Sequence, residues 1–113
     1  MDHCVFCDIA DGKLKAKILY KDEKIMAFYD LEAVAPIHFL VMSRAHIVSV
    51  KAINKENSST VSGIFEVIAA LAKKLELVDG FRVVANSGKL AGQTVNHLHF
   101  HVLGGRVFEW PPG

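Results

Sequence analysis

The chain has 113 residues, a length that suits one domain and leaves no room for an independent second one. Apolar residues make up 51% and charged residues 22%, the mixture of an ordinary globular protein, which excludes a disordered or low-complexity chain. Thirteen Lys/Arg against twelve Asp/Glu leave a net charge of +1, so neither a nucleic acid nor an anionic membrane is an expected partner.

No apolar run reaches the roughly 18 to 20 residues of a membrane span, and Asp2, His3 and Asp8 stand where a signal peptide would be basic and then apolar. A soluble, cytoplasmic protein is expected, read as one domain over 1–113. The only cysteines, Cys4 and Cys7, form a CxxC. A bridge across so short a loop constrains little, which leaves a metal or redox role in a reducing compartment.

In chain order, 18–20 and 25–29 are rich in β-branched and aromatic residues and flank the polar 21–24, which predicts a hairpin. A third apolar run, 38–42, follows Pro36 and reads as a central strand. Over 58–77 the period changes: Val61, Ile64, Phe65, Ile68, Ala72 and Leu75 form the stripe of an amphipathic helix. Ser58, Ser59 and Thr60 are candidate N-caps, and Gly80 is a place for the helix to stop. Strands at 81–85 and 98–103 enclose a loop with two glycines, Gly88 and Gly92. Five short strands with one long helix predict an α+β fold and a largely antiparallel sheet. The two prolines of Trp110-Pro111-Pro112-Gly113 keep the tail out of helix and sheet interior.

Six histidines are present, and His97, His99 and His101 fall within five positions. In Asn96-His97-Leu98-His99-Phe100-His101-Val102 the imidazoles alternate with apolar residues. On a strand this sends Leu98, Phe100 and Val102 to the core and the imidazoles to the opposite face, with Cα atoms roughly 6.6 Å apart. Three rings so spaced can line one small site. Imidazole serves as a metal ligand or as a nucleophile, and both readings are open on spacing alone. Upstream, Asn86, Ser87, Gly88, Gly92, Gln93 and Thr94 supply side-chain donors and glycine backbone able to approach an anion such as phosphate.

The segment Gly92-Gln93-Thr94-Val95-Asn96-His97-Leu98-His99-Phe100-His101-Val102-Leu103 resembles the signature of the histidine-triad (HIT) family, His-φ-His-φ-His-φ-φ with φ apolar. The likeness extends to 6–13, to Ala27-Phe28-Tyr29-Asp30 and to Ala35-Pro36-Ile37-His38-Phe39-Leu40-Val41. From Leu103-Gly104-Gly105-Arg106 to Trp110-Pro111-Pro112-Gly113 the chain resembles the branch of histidine-triad nucleotide-binding proteins that act as purine nucleoside phosphoramidases. The resemblance implies a HIT-like fold with a short N-terminal helix. It implies that His99 attacks the α-phosphorus of a nucleoside 5′-phosphoramidate, that the carbonyl of His97 holds its other nitrogen, and that His101 contacts phosphate and leaving group. It places Asn86, Gly92, Gln93, Thr94 and Val95 around the phosphate and Asp30 on the ribose. Phe28, Leu31 and Leu40 would lie against the base, and His38 in a network behind the first triad histidine. Relatives of this branch are homodimers, which brings Trp110 toward the partner's site, and the implied ligands are AMP and GMP derivatives.

Similarity to bacterial members implies one structural zinc held by Cys4, Cys7, His46 and His97, with no cofactor needed for the chemistry. Leu14-Lys15-Ala16 departs from the Ile-Pro-Ala of many relatives, which puts the local path there in doubt. Three other readings stand beside the phosphoramidase: a nucleotide sensor or scaffold with little turnover, a dinucleoside polyphosphate hydrolase of the same family, and a small zinc protein with all three strand histidines on metal. His3 has no expected role.

Overall fold

A computed structural model describes residues 4–113; His3 lies outside them. The elements are α1 (Val5–Ala10), β1 (Ile18–Lys21), β2 (Ile25–Tyr29), β3 (Ile37–Ser43), α2 (Ser58–Lys74), β4 (Phe81–Val84) and β5 (His99–Gly104), with single 3-10 turns at Val50–Ala52 and Lys89–Ala91. The strands form one antiparallel sheet in the order β1-β2-β3-β5-β4. The expected α+β architecture with its long helix and short N-terminal helix is present. None of the helices is long and apolar enough to cross a membrane among the described residues.

The period-two pattern splits the sheet into two chemically different faces. Ala27, Phe39, Val41, Phe100 and Val102 point toward α2 and join Ile64, Val67, Ile68 and Leu71 in the larger core. Met26, Phe28, Leu40 and Met42 point the other way and are covered by Phe6, Ile9 and Ala10 of α1. Each large side chain withdrawn from water in this way contributes about 1.5–3 kcal/mol. Leu98, Phe100 and Val102 lie in the core as the alternation requires.

The hairpin between β1 and β2 is closed by Asp22, whose Oδ1 accepts from the amides of Lys24 and Ile25 at 2.7 and 2.8 Å. Helix α2 differs from expectation at both ends. Asn57, rather than Ser58, Ser59 or Thr60, occupies the N-cap, and its side chain makes no cap bond to the helix. Its Oδ1 instead accepts from the Asn54 amide at 2.8 Å, a local turn that competes with capping.

At the other end the helix stops before Gly80. Glu76 adopts a left-handed φ of 61°, its amide donates to Lys73 O, and the Leu77 amide reaches back to Ala72 O. This pair of bonds is a Schellman stop built without glycine. The buried Leu77 then packs under Gly104, where a Cβ would lie 2.6 Å from Leu77 Cδ2. The apolar stripe is also rotated from the expected one. Phe65 is 49% exposed, and Val67 and Leu71 take the buried positions beside Ile64 and Ile68. Phe65 keeps only an edge contact to Phe100, with centroids 5.1 Å apart.

Candidate active site and metal centre

On the α1 face, one register row runs straight across the sheet: Ile18 of β1, Phe28 of β2, Leu40 of β3, His101 of β5 and Val84 of β4. Over this row lies a cavity of about 580 Å³. Phe28 and Leu40 form its apolar floor, while Asp30, Glu32, Asn86, Thr94, His99 and His101 are among its polar residues. Leu31 and Val95 also line it, Leu31 from an almost fully exposed position.

His99 is buried, and its Nδ1 lies 2.6 Å from the carbonyl oxygen of His97. A carbonyl only accepts, so Nδ1 carries the proton and Nε2 keeps its lone pair. Burial holds this ring below the ordinary histidine value against the opposing pull of that carbonyl and of Asp30. The imidazole is therefore neutral near pH 7 and nucleophilic at Nε2.

His101 is oriented through two further residues. The Val34 amide donates to His38 Nδ1 at 3.2 Å, so His38 carries its proton on Nε2. That Nε2 sits 2.9 Å from His101 Nδ1 and 3.3 Å from Asp30 Oδ2. Donation to His101 leaves its own proton on Nε2. Burial, then the neighbouring His99 and His38, push the His101 value down to about 4, with Asp30 opposing. His38 thus sits behind the third triad histidine, not behind the first as expected from the family.

Strict alternation predicts three imidazoles in one site, and the structure brings together only two. His97 precedes β5, in a bend where its amide bonds to Val95 O, and its fully buried ring turns away from the cavity. Its Nε2 donates to Ser43 O at 2.6 Å, so Nδ1 presents a lone pair to Cys4 Sγ at 3.3 Å and Cys7 Sγ at 3.5 Å. His46 Nδ1 approaches Cys7 Sγ at 3.2 Å. The four donor atoms lie within 4.8 Å of one another. Tetrahedral zinc with two sulfur and two nitrogen ligands requires separations of roughly 3.3–3.8 Å; the donor types fit, and so do the sulfur–nitrogen distances of 3.2 to 3.5 Å. The residues Cys4, Cys7, His46 and His97 can hold a metal ion. In the metal-free chain, burial and the adjacent Cys4 raise the Cys7 thiol to about 11, which a bound cation reverses.

Asp30, His38 and His101 form a second group with converging atoms. Here the tautomer argues against a metal, because the Val34 amide fills the Nδ1 lone pair of His38 and leaves a proton on Nε2. The group is a hydrogen-bonded chain. The arrangement in which all three strand histidines ligate one metal does not occur, since each ring has a different fixed partner.

The remaining expected residues divide. Gln93 spends its side chain on the loop, accepting from the Gly88 amide at 2.8 Å and donating to Val48 O and Val95 O at 2.8 and 3.0 Å. Gly92 turns the loop with a φ of 86°. Neither is on the cavity wall. Trp110 is 82% exposed and outside the cavity of its own chain.

Sequence reasoning missed α1 as a cavity wall: Val5, Phe6 and Ile9 all line it. Phe6 meets His99 edge-on at 4.9 Å and Phe28 at 5.5 Å. The only local signal is the apolar spacing of a six-residue helix, which says nothing about a strand more than ninety positions away. Lys15 and Lys17 also line the cavity and were likewise unassigned.

The HIT domain family matches residues 11–108, and the chain belongs to it. An uncharacterised HIT-like protein of Synechococcus elongatus is 37% identical over 109 residues, 96% of each chain. Among solved structures, a HIT family hydrolase from Legionella pneumophila superposes with a TM-score of 0.95 at 38% identity, covering 98% of this chain and all of that one. A histidine triad nucleotide-binding protein from Candida albicans gives a TM-score of 0.83 at 29% identity, covering 96% of this chain and 83% of that one. The fold is HIT-like.

Proposed function

We propose that this protein is a nucleotide-binding hydrolase that cleaves the P–N bond of purine nucleoside 5′-phosphoramidates and releases AMP or GMP. The observation that carries the reading is the fixed tautomer of His99, with Nδ1–H on the His97 carbonyl and a free Nε2 on the cavity wall. His99 Nε2 attacks the α-phosphorus, a P–N bond to the imidazole forms, and the bond to the leaving amine breaks with its electron pair going to that nitrogen. Water then attacks the nucleotidyl-histidine, returns the imidazole and releases the monophosphate. The covalent intermediate divides one hard displacement into two easier ones.

His101 offers Nε2–H to the phosphate or leaving group, oriented through His38. Asn86 and Thr94 hold phosphate oxygens, helped by amides of the loop that Gln93 and Gly92 shape. Asp30 accepts from the ribose hydroxyls: its Oδ1 takes the Glu32 amide at 2.8 Å, which fixes the carboxylate at the cavity. The base lies over Phe28 and Leu40, with Leu31 at the mouth. Neighbours named as a hydrolase and as a nucleotide-binding protein support this assignment.

Cys4, Cys7, His46 and His97 would hold a structural zinc, which supplies a cross-link between α1 and the sheet and takes no part in the reaction. A filled Cys2His2 set has no open position for substrate. The free thiols suit a reducing compartment such as the cytoplasm. The assembly we assign is a homodimer: β4 has a partner on one side only, its own Phe81 is exposed, and Phe65 of α2 is exposed as well. Trp110 then reaches toward the partner's cavity.

The test is His99→Ala with adenosine 5′-phosphoramidate. The substitution abolishes turnover and the covalent adduct seen by mass spectrometry in rapidly quenched wild type, while nucleotide binding persists. Turnover that survives it overturns the nucleophile. Wild type that binds AMP yet hydrolyses no phosphoramidate, dinucleotide or acyl-adenylate is a sensor.

A further inference from the structure

The cavity grades in chemistry along the register row. Successive strands are about 4.8 Å apart, so the step from β5 to β1 across β3 and β2 is roughly 14 Å. The reacting histidines stand at the β5 end. Phe28 and Leu40 lie between, beneath Phe6 and Ile9 of α1. At the β1 end two cations close the wall: Lys17, immediately before Ile18, and Lys15, two residues earlier. Ala16 between them packs into the α1-side core and so fixes both backbones against the cavity rim.

The two lysines differ in what else they do. Lys17 carries its Nζ over the Tyr29 ring, 5.4 Å from the centroid, and its carbonyl accepts from the Tyr29 amide at 3.1 Å. Lys15 makes no side-chain hydrogen bond or ion pair among the described residues.

This inference rests on the purine nucleotide reading. With phosphorus at His99 and ribose at Asp30, the base extends toward β1 and presents its far edge to Lys15. An ammonium has three donors and no acceptor. Guanine offers it two adjacent acceptors, O6 and N7, whereas adenine places an N6 amino donor beside N7. We propose that Lys15 is a base-discriminating residue that selects purines carrying a 6-oxo group, guanine or hypoxanthine, over adenine. The site then prefers guanosine or inosine phosphoramidates as substrates.

The experiment measures GMP, IMP and AMP binding by calorimetry, and kcat/KM for guanosine and adenosine 5′-phosphoramidates, on full-length wild type, Lys15→Met and Lys15→Arg. An exposed charge-assisted bond predicts a GMP and IMP preference over AMP of about 3- to 10-fold in wild type, retained in Lys15→Arg and close to parity in Lys15→Met. The same ratio in wild type and Lys15→Met overturns the proposal, as does an AMP preference in wild type. If nucleotides bind with the Lys15-dependent preference and no phosphoramidate is hydrolysed, base selection stands and the hydrolase reading fails. If hydrolysis proceeds and the ratio ignores Lys15, the hydrolase reading stands and base selection fails. Binding of no purine nucleotide overturns both.

Discussion

Two clusters of imidazoles sit back to back around the start of β5, and the same side chain has opposite chemistry in each. In the Cys4, Cys7, His46 and His97 cluster, the Ser43 carbonyl accepts from Nε2–H of His97 and leaves the Nδ1 lone pair facing the two sulfurs. In the cavity, the His97 carbonyl accepts from Nδ1–H of His99 and leaves the Nε2 lone pair open. A backbone oxygen decides which nitrogen is available, so proximity of histidines alone does not identify a metal site or a catalyst. His97 belongs to both clusters, one through its ring and the other through its carbonyl.

The largest effect expected is on the cavity side. His99→Ala lowers phosphoramidate hydrolysis by at least about 10⁴-fold while zinc content stays near that of wild type. Loss of zinc with that substitution would merge the two clusters into one. On the other side, the double change Cys4→Ser and Cys7→Ser removes the metal, read by elemental analysis of protein purified without chelator. Each kcal/mol of metal-binding free energy lost lowers the melting temperature by about 4–8 °C. Well under one zinc per wild-type chain overturns the centre altogether.

His38→Ala is a finer probe, since that residue touches only the cavity cluster. It should lower kcat by about 10- to 100-fold through misorientation of His101, with KM and zinc content little changed. A fall in zinc instead would show that the separation is wrong.

The smallest effect is on stability in acid. His101, facing His38, His99 and Asp30, is held down to about 4, and His38 below its ordinary 6.5, chiefly by burial. Unfolding lets both bind protons that the folded chain refuses. Their contribution is therefore complete above about pH 6.5 and is lost as pH falls toward 4. Urea midpoints should decline over that window, less steeply in His101→Gln; equal slopes remove His101 from the explanation.

How much of this was legible in the sequence varies with the range of the interaction. Alternation put Leu98, Phe100 and Val102 in the core and His99 with His101 on the other face, because period two is a local property of a strand. It failed at His97, two residues before the strand begins, where a bend turns the ring. The stripe on α2 gave the helix but misplaced Phe65, since a window of residues cannot show how far the helix rolls on its sheet. The stop at Glu76 carried no glycine to announce it. Partners of His38, the wall made by Phe6 and the position of Lys15 are set by tertiary contacts, and no local pattern encodes them.

The link from Cys4 to His97 spans 93 positions of chain. During synthesis α1 precedes β2 and β3, whose Met26, Phe28, Leu40 and Met42 it covers, by a few tens of residues, while the imidazole that meets its Cys4 comes 93 positions later. Phe6 and Ile9 can bury against β2 and β3 before then, but the edge contact of Phe6 with His99 and the contact of Cys4 with His97 must wait. The cavity is therefore completed late, and a nascent chain stalled before residue 97 has the α1 side of its wall but lacks both His99 and His101.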